Sequence, residues 1–396
     1  MKGKLRITAI ICIVALLLGV LAACGSEKKA PEPQETETPA AEPTAPADTG
    51  GEETPDEEPA VELPHYKIGL LAYTNAGLWW DRIYDAISAL CEEYNCELVT
   101  AAADMPDTVI AAVENLCSSG VDGIIALSTG GVIQRLVEIC EASQVFLVAG
   151  NNDVTLDAGY DSIAKNEYWL GDVYADEYET SYAVTKEMIE NGAKNFVIFG
   201  LPPGISTSFD LRANGAMDAV KDAGLSPAVE ARSFAMPEVA NTFLTQYPNT
   251  DAVFSVVCSS TYITNPIMSQ GYAGKLQVSS YEEEGDTVAA FEAGLLTHAM
   301  EGHNAQAQVC FALLYNALRG DRMAAADGTA AHILLPYLII RSAEEYQLFL
   351  DNSTNGKYPF SSDDIKSMIK VFNPDASADS IQEFVSDFSI DWFKNR

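Results

Sequence analysis

The sequence has four histidines, His65, His298, His303 and His332. None lies at the i,i+4 spacing that sets two imidazoles on one helix face around a metal ion, and no H-E-x-x-H occurs. His298 and His303 are five apart, which suits polar groups at a strand end better than a ligand pair. A G-x-S-x-G turn, a P-loop and a G-x-G-x-x-G after a strand are all absent. No nucleophile–base set is therefore visible, and the sequence calls for no enzyme activity, no metal and no cofactor. The remaining residues with chemical potential sit at the ends of apolar runs. They are Trp79 and Trp80, Asp104, Asn151 and Asn152 with Asp153, Arg212, Cys258, Glu282 with two further acids, and Glu301. Two adjacent tryptophans on a helix point about 100° apart, so at an opening turn one can face a cleft and the other the core.

Cysteine chemistry depends on the compartment. Lys2, Lys4 and Arg6 precede an apolar run from Ile7 to Val20, a charged n-region and short h-region that read as a secretory signal. The run ends in Leu21-Ala22-Ala23-Cys24, which resembles the lipobox of bacterial lipoproteins. That resemblance implies removal of residues 1–23 and acylation of Cys24, whose thiolate is the nucleophile that takes the lipid. Six cysteines then remain. Cys91, Cys117, Cys140 and Cys310 lie among apolar neighbours on helical patterns, as small core residues do. Export permits disulfides, so Cys91 and Cys96 could bridge near a helix end; spacing alone leaves the pairing open.

Residues 24–64 hold twelve acids, two lysines and eight prolines with almost nothing apolar before Val61. They read as a disordered acidic tether, since such a segment cannot bury enough surface to offset its ordering entropy. The formal charge of the whole chain is −34, and residues 65–396 still carry −27. An excess of this size repels phosphate backbones and argues against a nucleic-acid partner.

From Tyr66 the pattern turns regular. Apolar runs at 67–72, 97–100, 123–127 and 145–149 alternate with helical stretches whose apolar residues recur every three or four positions, such as Trp80, Ile83, Ile87, Leu90 and Tyr94. A second set of runs follows at 195–200, 229–232, 252–256 and 276–280. Continuous apolar strands alternating with amphipathic helices predict parallel sheets covered on both faces. Two such sets predict an α/β chain of two doubly wound lobes, with a cleft beyond the carboxyl ends of the strands.

The segment Leu116-Cys117-Ser118-Ser119-Gly120-Val121-Asp122-Gly123-Ile124-Ile125 resembles the third-strand signature of type I sugar-binding proteins, the ribose- and galactose-type receptors of ABC transporters, whose fold LacI-type repressors share. The likeness runs from about residue 66 to 340 and includes Gly294-Leu295-Leu296-Thr297 and Leu318-Arg319-Gly320-Asp321. No DNA-reading helix pair precedes the first strand. The resemblance implies three crossings between lobes, placed near residue 168, near Glu301-Gly302 and near Ala330. The first lobe is then 65–168 plus 302–330, and the second 169–301 plus 331–340, joined by a hinge. Residues 341–396 form an extra helical extension, with helices expected at 361–372 and 377–393, packed on a lobe.

By the same resemblance, Trp79 or Trp80 stacks on a small sugar-like ligand, Arg212 donates a fork of hydrogen bonds, and Glu301 stands at the usual cleft glutamine. Asp104 and Asn151-Asn152 set orientation. Departures from the family pattern fall at Gly150-Asn151-Asn152-Asp153, at Val257-Cys258-Ser259-Ser260 and at Tyr281-Glu282. These acids raise a second possibility, in which Glu282, Glu301, Asp104 and the tryptophans box a cationic amine. The implied whole is a monomeric, lipid-anchored, extracytoplasmic receptor that passes its ligand to membrane permease subunits. The same module could instead report ligand occupancy to a membrane kinase or chemoreceptor.

Overall fold

The computed structural model describes residues 61–394. Cys24, the signal and nearly all of the tether lie outside them. The first sheet is built from β1 (Tyr66–Ala72), β2 (Cys96–Ala102), β3 (Gly123–Ala126), β4 (Phe146–Gly150), β5 (Trp169–Tyr174) and β11 (Ala331–Leu334), in the order β11-β5-β4-β3-β1-β2. The second contains β6 (Phe196–Gly200), β7 (Val229–Arg232), β8 (Ala252–Ser255), β9 (Gln277–Tyr281), β10 (His298–Glu301) and β12 (Leu338–Ile340), in the order β12-β10-β9-β8-β6-β7. The two orders are the same doubly wound pattern, and all pairings are parallel except β10 with β12.

Strand alternation explains why every run is apolar throughout. Leu70, Ala72, Ile125 and Val148 face one helix layer, whereas Leu71, Ile124, Leu147 and Ala149 from the same strands face the other. α1 (Leu78–Glu93) and α11 (His303–Leu318) cover the first face; α2 (Pro106–Ser118) and α3 (Ile133–Ser143) cover the second. In the second lobe α5 (Glu177–Glu190) and α6 (Thr207–Asp222) pack on one face, through Val184, Ala213 and Ala216, and α7 (Met236–Gln246) packs on the other. α11 is buried along all but its last residue, as a helix apolar on most sides must be.

Two crossings lie further along the chain than the sequence suggested. β5 pairs with β4 and β11 in the first sheet, so the first crossing follows Tyr174 instead of residue 168. Gly171 and Asp172 interrupt this strand and hide its apolar character. A further crossing falls at Gly302, between β10 of the second sheet and α11. The third is at 335–337, because the 331–334 run joins β5 in the first sheet and Pro336 separates it from β12.

The extension packs on both lobes. α12 (Ala343–Asp351) sets Tyr346 against Phe291 of the second lobe. Gln308 and Asn316 of α11 hydrogen-bond the backbone of Phe360 and Met368, the latter in α13 (Ser362–Met368). Gln382 of α14 (Ala378–Val385) gives and receives hydrogen bonds with the Leu334 backbone, closing the exposed edge of β11.

A Cβ on Gly171, whose φ is 117°, would stand 1.8 Å from the Ala331 carbonyl oxygen. We expect Gly171→Ala to lower stability by about 3 kcal/mol in urea unfolding. A loss below about 1 kcal/mol would show that β5 and β11 can separate there freely.

Candidate functional site

The carboxyl ends of β1, β4, β9 and β10 bring the candidate residues together. α1 begins after Gly77, and the amides of Leu78 and Trp79 donate to the Glu284 carboxylate at 2.6 and 2.9 Å. An acid of the second lobe thus satisfies the open amides of a first-lobe helix, where the helix dipole favours negative charge. One turn on, Arg82 donates to Glu301 at 3.2 Å and to the Glu283 carbonyl at 3.3 Å, with Glu282 3.8 Å away. Glu301 also accepts from the Tyr346 hydroxyl and the Glu283 amide. One guanidinium thus serves two buried carboxyls. Burial, then the neighbouring Glu301 charge, pushes Glu282 well above the carboxylate range, and burial raises Glu301 as well.

A second chain of hydrogen bonds runs through the crossings. The Trp79 indole donates to His303 Nδ1 at 2.7 Å, which fixes the proton of a neutral imidazole on Nε2. Nε2 then donates to the Tyr337 hydroxyl at 2.7 Å, and Tyr337 donates to Glu177 at 3.1 Å. Arg212 closes the network with a bidentate pair to Glu177, at 2.6 and 2.8 Å, and a bond to Tyr337 at 3.0 Å, its guanidinium 3.7 Å above the Tyr281 ring. Burial, then Arg212 and Arg82, pushes the His303 pKa well down.

Each residue singled out from sequence can now be placed. Trp79 is buried between Tyr73, whose ring centre is 4.4 Å away, and His303. Trp80 faces the core beside Tyr84. Arg212 lies in the second chain of hydrogen bonds, where Glu177 occupies the fork that was expected to hold a ligand. Glu282 and Glu301 meet at Arg82. Cys258 is half-buried with its thiol 3.0 Å from the Ser260 hydroxyl, and burial raises its pKa. Asp104 is exposed beyond the edge strand β2 and makes none of these contacts.

Asn151 is buried in the left-handed region at φ 70°; its amide N–H donates to Gln306, and its side-chain oxygen has no partner. Asn152 accepts from the Ser208 hydroxyl of the second lobe at 2.9 Å. The Gln306 and Asn304 amide nitrogens in the opening turns of α11 are likewise buried without partners. Cys91 and Cys96 are free thiols, so the bridge considered above is not formed.

Sequence reading missed Arg82, Glu177, Glu284 and Tyr337, and set His303 aside as a polar strand-end group. The clue for Arg82 was its place three residues after Trp79, on the same helix face. His303 and Tyr337 had one too, since each borders a crossing.

Two facing lobes of identical strand order, joined by three crossings, with polar groups gathered at the carboxyl ends of their strands, define a bilobed solute-binding protein. Residues 68–322 match the periplasmic binding protein domain, and the chain belongs to that family of extracytoplasmic, substrate-binding transport proteins. No curated protein matches. Similar solved structures include an ABC transporter solute-binding protein from Actinobacillus succinogenes with bound D-allose (18% identity, TM-score 0.62, covering 71% of this chain and 99% of that one). Another is from Agrobacterium vitis, bound with α-D-tagatopyranose (15%, 0.59, 70% and 95%). A third, from Bacillus halodurans with bound myo-inositol, gives 14%, 0.57, 73% and 99%. None of the described helices is long and apolar enough to cross a membrane.

The charges in the network give stability a sign with pH. Unfolded His303 takes a proton below about 6.5, whereas the folded imidazole refuses it, so this group's contribution is lost as pH falls through that range. His298, pushed down to about 4 by burial, acts in the same direction. Glu282 acts oppositely, costing stability as pH rises from about 4.3 toward its raised folded value. Guanidinium unfolding between pH 4.5 and 7 should therefore give His303→Gln a shallower acid-side loss than the wild type, by up to about 1.4 kcal/mol per pH unit. Parallel curves would place a proton on the folded imidazole.

Proposed function

We propose that this protein captures a neutral sugar or polyol between its lobes and delivers it to an ABC importer. The observation that carries this reading is the set of buried, unpartnered amide atoms at Asn151, Asn304 and Gln306. They lie on segments beside the point where Asn152 meets Ser208 across the lobes. Amides that both donate and accept suit hydroxyl groups, and buried amides without partners are costly unless a ligand satisfies them. Tyr73, half-exposed above Trp79, adds an aromatic face for the C–H side of a ring. The neighbours that hold allose, tagatose and inositol support the same ligand class.

The acids that suggested a cationic ligand are already engaged. Glu301 answers Arg82, Glu284 caps α1, Glu282 meets the His303 amide and Arg82, and Asp104 is elsewhere. Export and acylation at Cys24, with the 25–64 segment as tether, would hold the module at the membrane beside the permease.

Titration with D-allose, myo-inositol and related neutral sugars, followed by tryptophan fluorescence, should saturate with a Kd of about 10 μM or below and be insensitive to salt. Asn151→Gly keeps the left-handed backbone but removes the amide, and should weaken binding about tenfold or more. Responses confined to cationic amines and suppressed by salt would overturn the proposal.

A further inference from the structure

Outside the charged network, two adjacent strands of the first lobe and the turn after β4 converge. Asp172 on β5 and His332 on β11 are register partners in adjacent parallel strands, with Asp172 Oδ1 2.9 Å from His332 Nδ1. Asp153, from the turn after β4, joins them, so that one ligand atom from each residue lies within 4.8 Å of the other two. We propose that Asp153, Asp172 and His332 form a binding site for a divalent first-row transition-metal ion.

The groups are held as ligands are held. Asp172 is fully buried, and its second oxygen accepts from the Val154 amide at 3.3 Å, leaving Oδ1 toward the imidazole. Asp153 Oδ1 accepts from the amide and the hydroxyl of Thr155, which orients that carboxylate. The Tyr174 ring stacks on the imidazole, with centres 4.2 Å apart and planes 15° apart. Such outer contacts set ligand direction in metal sites. Metal–ligand bonds of about 2.1 Å place neighbouring donor atoms about 3–4 Å apart, within the span observed.

A buried Asp–His ion pair would need only two of these groups, and the site has more negative charge than that. Asp153 brings a second carboxylate. Asp157 lies close enough for the charges of both acids to act on it, and its own Oδ2 is shut away from solvent without a partner. His332 is the only cationic group among the main influences on Asp172. Two carboxylates and one imidazole favour Mn²⁺, Fe²⁺ or Zn²⁺ over Ca²⁺ or Mg²⁺, which take oxygen ligands throughout. Sequence spacing could not announce the site, because His332 is 160 residues from Asp172. A bound ion would tie the Asn151–Asp153 turn to the two strands that lead into the first and third crossings.

The test uses the full chain, stripped with chelator and titrated with Mn²⁺ by electron paramagnetic resonance and with Zn²⁺ by calorimetry. One ion should bind per chain with a Kd of about 100 μM or tighter and raise Tm in proportion to saturation. Asp153→Asn and His332→Gln should each weaken binding about tenfold or more. Both positions are partly exposed, so these variants should stay folded, which circular dichroism checks independently. No uptake at 1 mM of either ion would overturn the proposal, as would equal affinity in the folded variants.

Discussion

The arrangement depends on one neutral imidazole. His303 follows directly on the second crossing, Tyr337 lies in the third, and Glu177 opens the helix that follows the first. Because Nδ1 accepts from Trp79 and Nε2–H donates to Tyr337, a single tautomer satisfies both ring nitrogens and joins the three connecting segments to the first helix of the binding face. A protonated ring would lose its acceptor at Nδ1 and face Arg82 and Arg212. Displacing Trp79 would leave the buried indole nitrogen and His303 Nδ1 without this bond, a cost the network resists. A ligand that moves this tryptophan would act on every crossing at once.

The lobes repeat each other in more than strand order. Asn151 ends the fourth strand of the first lobe with φ at 70°, and Glu282 ends the fourth strand of the second with φ at 48°. Asparagine tolerates the left-handed region; glutamate does so less readily, at a cost on the order of 1 kcal/mol. The surroundings compensate in the second lobe, where the Glu282 carboxyl meets the His303 amide and the Arg82 guanidinium. The same backbone bend thus carries an amide with an unpartnered oxygen in one lobe and an internally paired acid in the other. Lobe-to-lobe contact by the second follows from that difference.

Much of this was legible before the structure. Period and apolar runs gave away both sheets and the helices between them, because a strand buried on both faces has to be apolar throughout. β5 escaped because Asp172 sits in its middle and Gly171 beside it, and the third crossing escaped because residues 331–340 read as one run. At the site, sequence singled out Arg212, Glu282, Glu301 and Trp79 as ligand contacts, and the fold shows each engaged by other side chains. Arg212 has a fork that suits ligand hydroxyls and Glu177 equally well. Only the fold reveals that Glu177 stands nearer.

The extension changes how hinge motion must work here. It contacts the second lobe through Tyr346 and the first through its links to α11 and Leu334, so it spans the lobes on the hinge side. Tyr346 also hydrogen-bonds Glu301, whose other oxygen answers Arg82. Phe349 lies 5.5 Å below the same guanidinium. The extension therefore forms part of the burial that raises Glu282 and Glu301 and makes Arg82 indispensable to them. Opening the lobes would pull α1, with Arg82, away from a carboxyl pair that the extension continues to shield from water. A buried pair stripped of its counter-charge costs several kcal/mol. That cost opposes opening and biases the chain toward the closed arrangement, whichever solute the cleft selects.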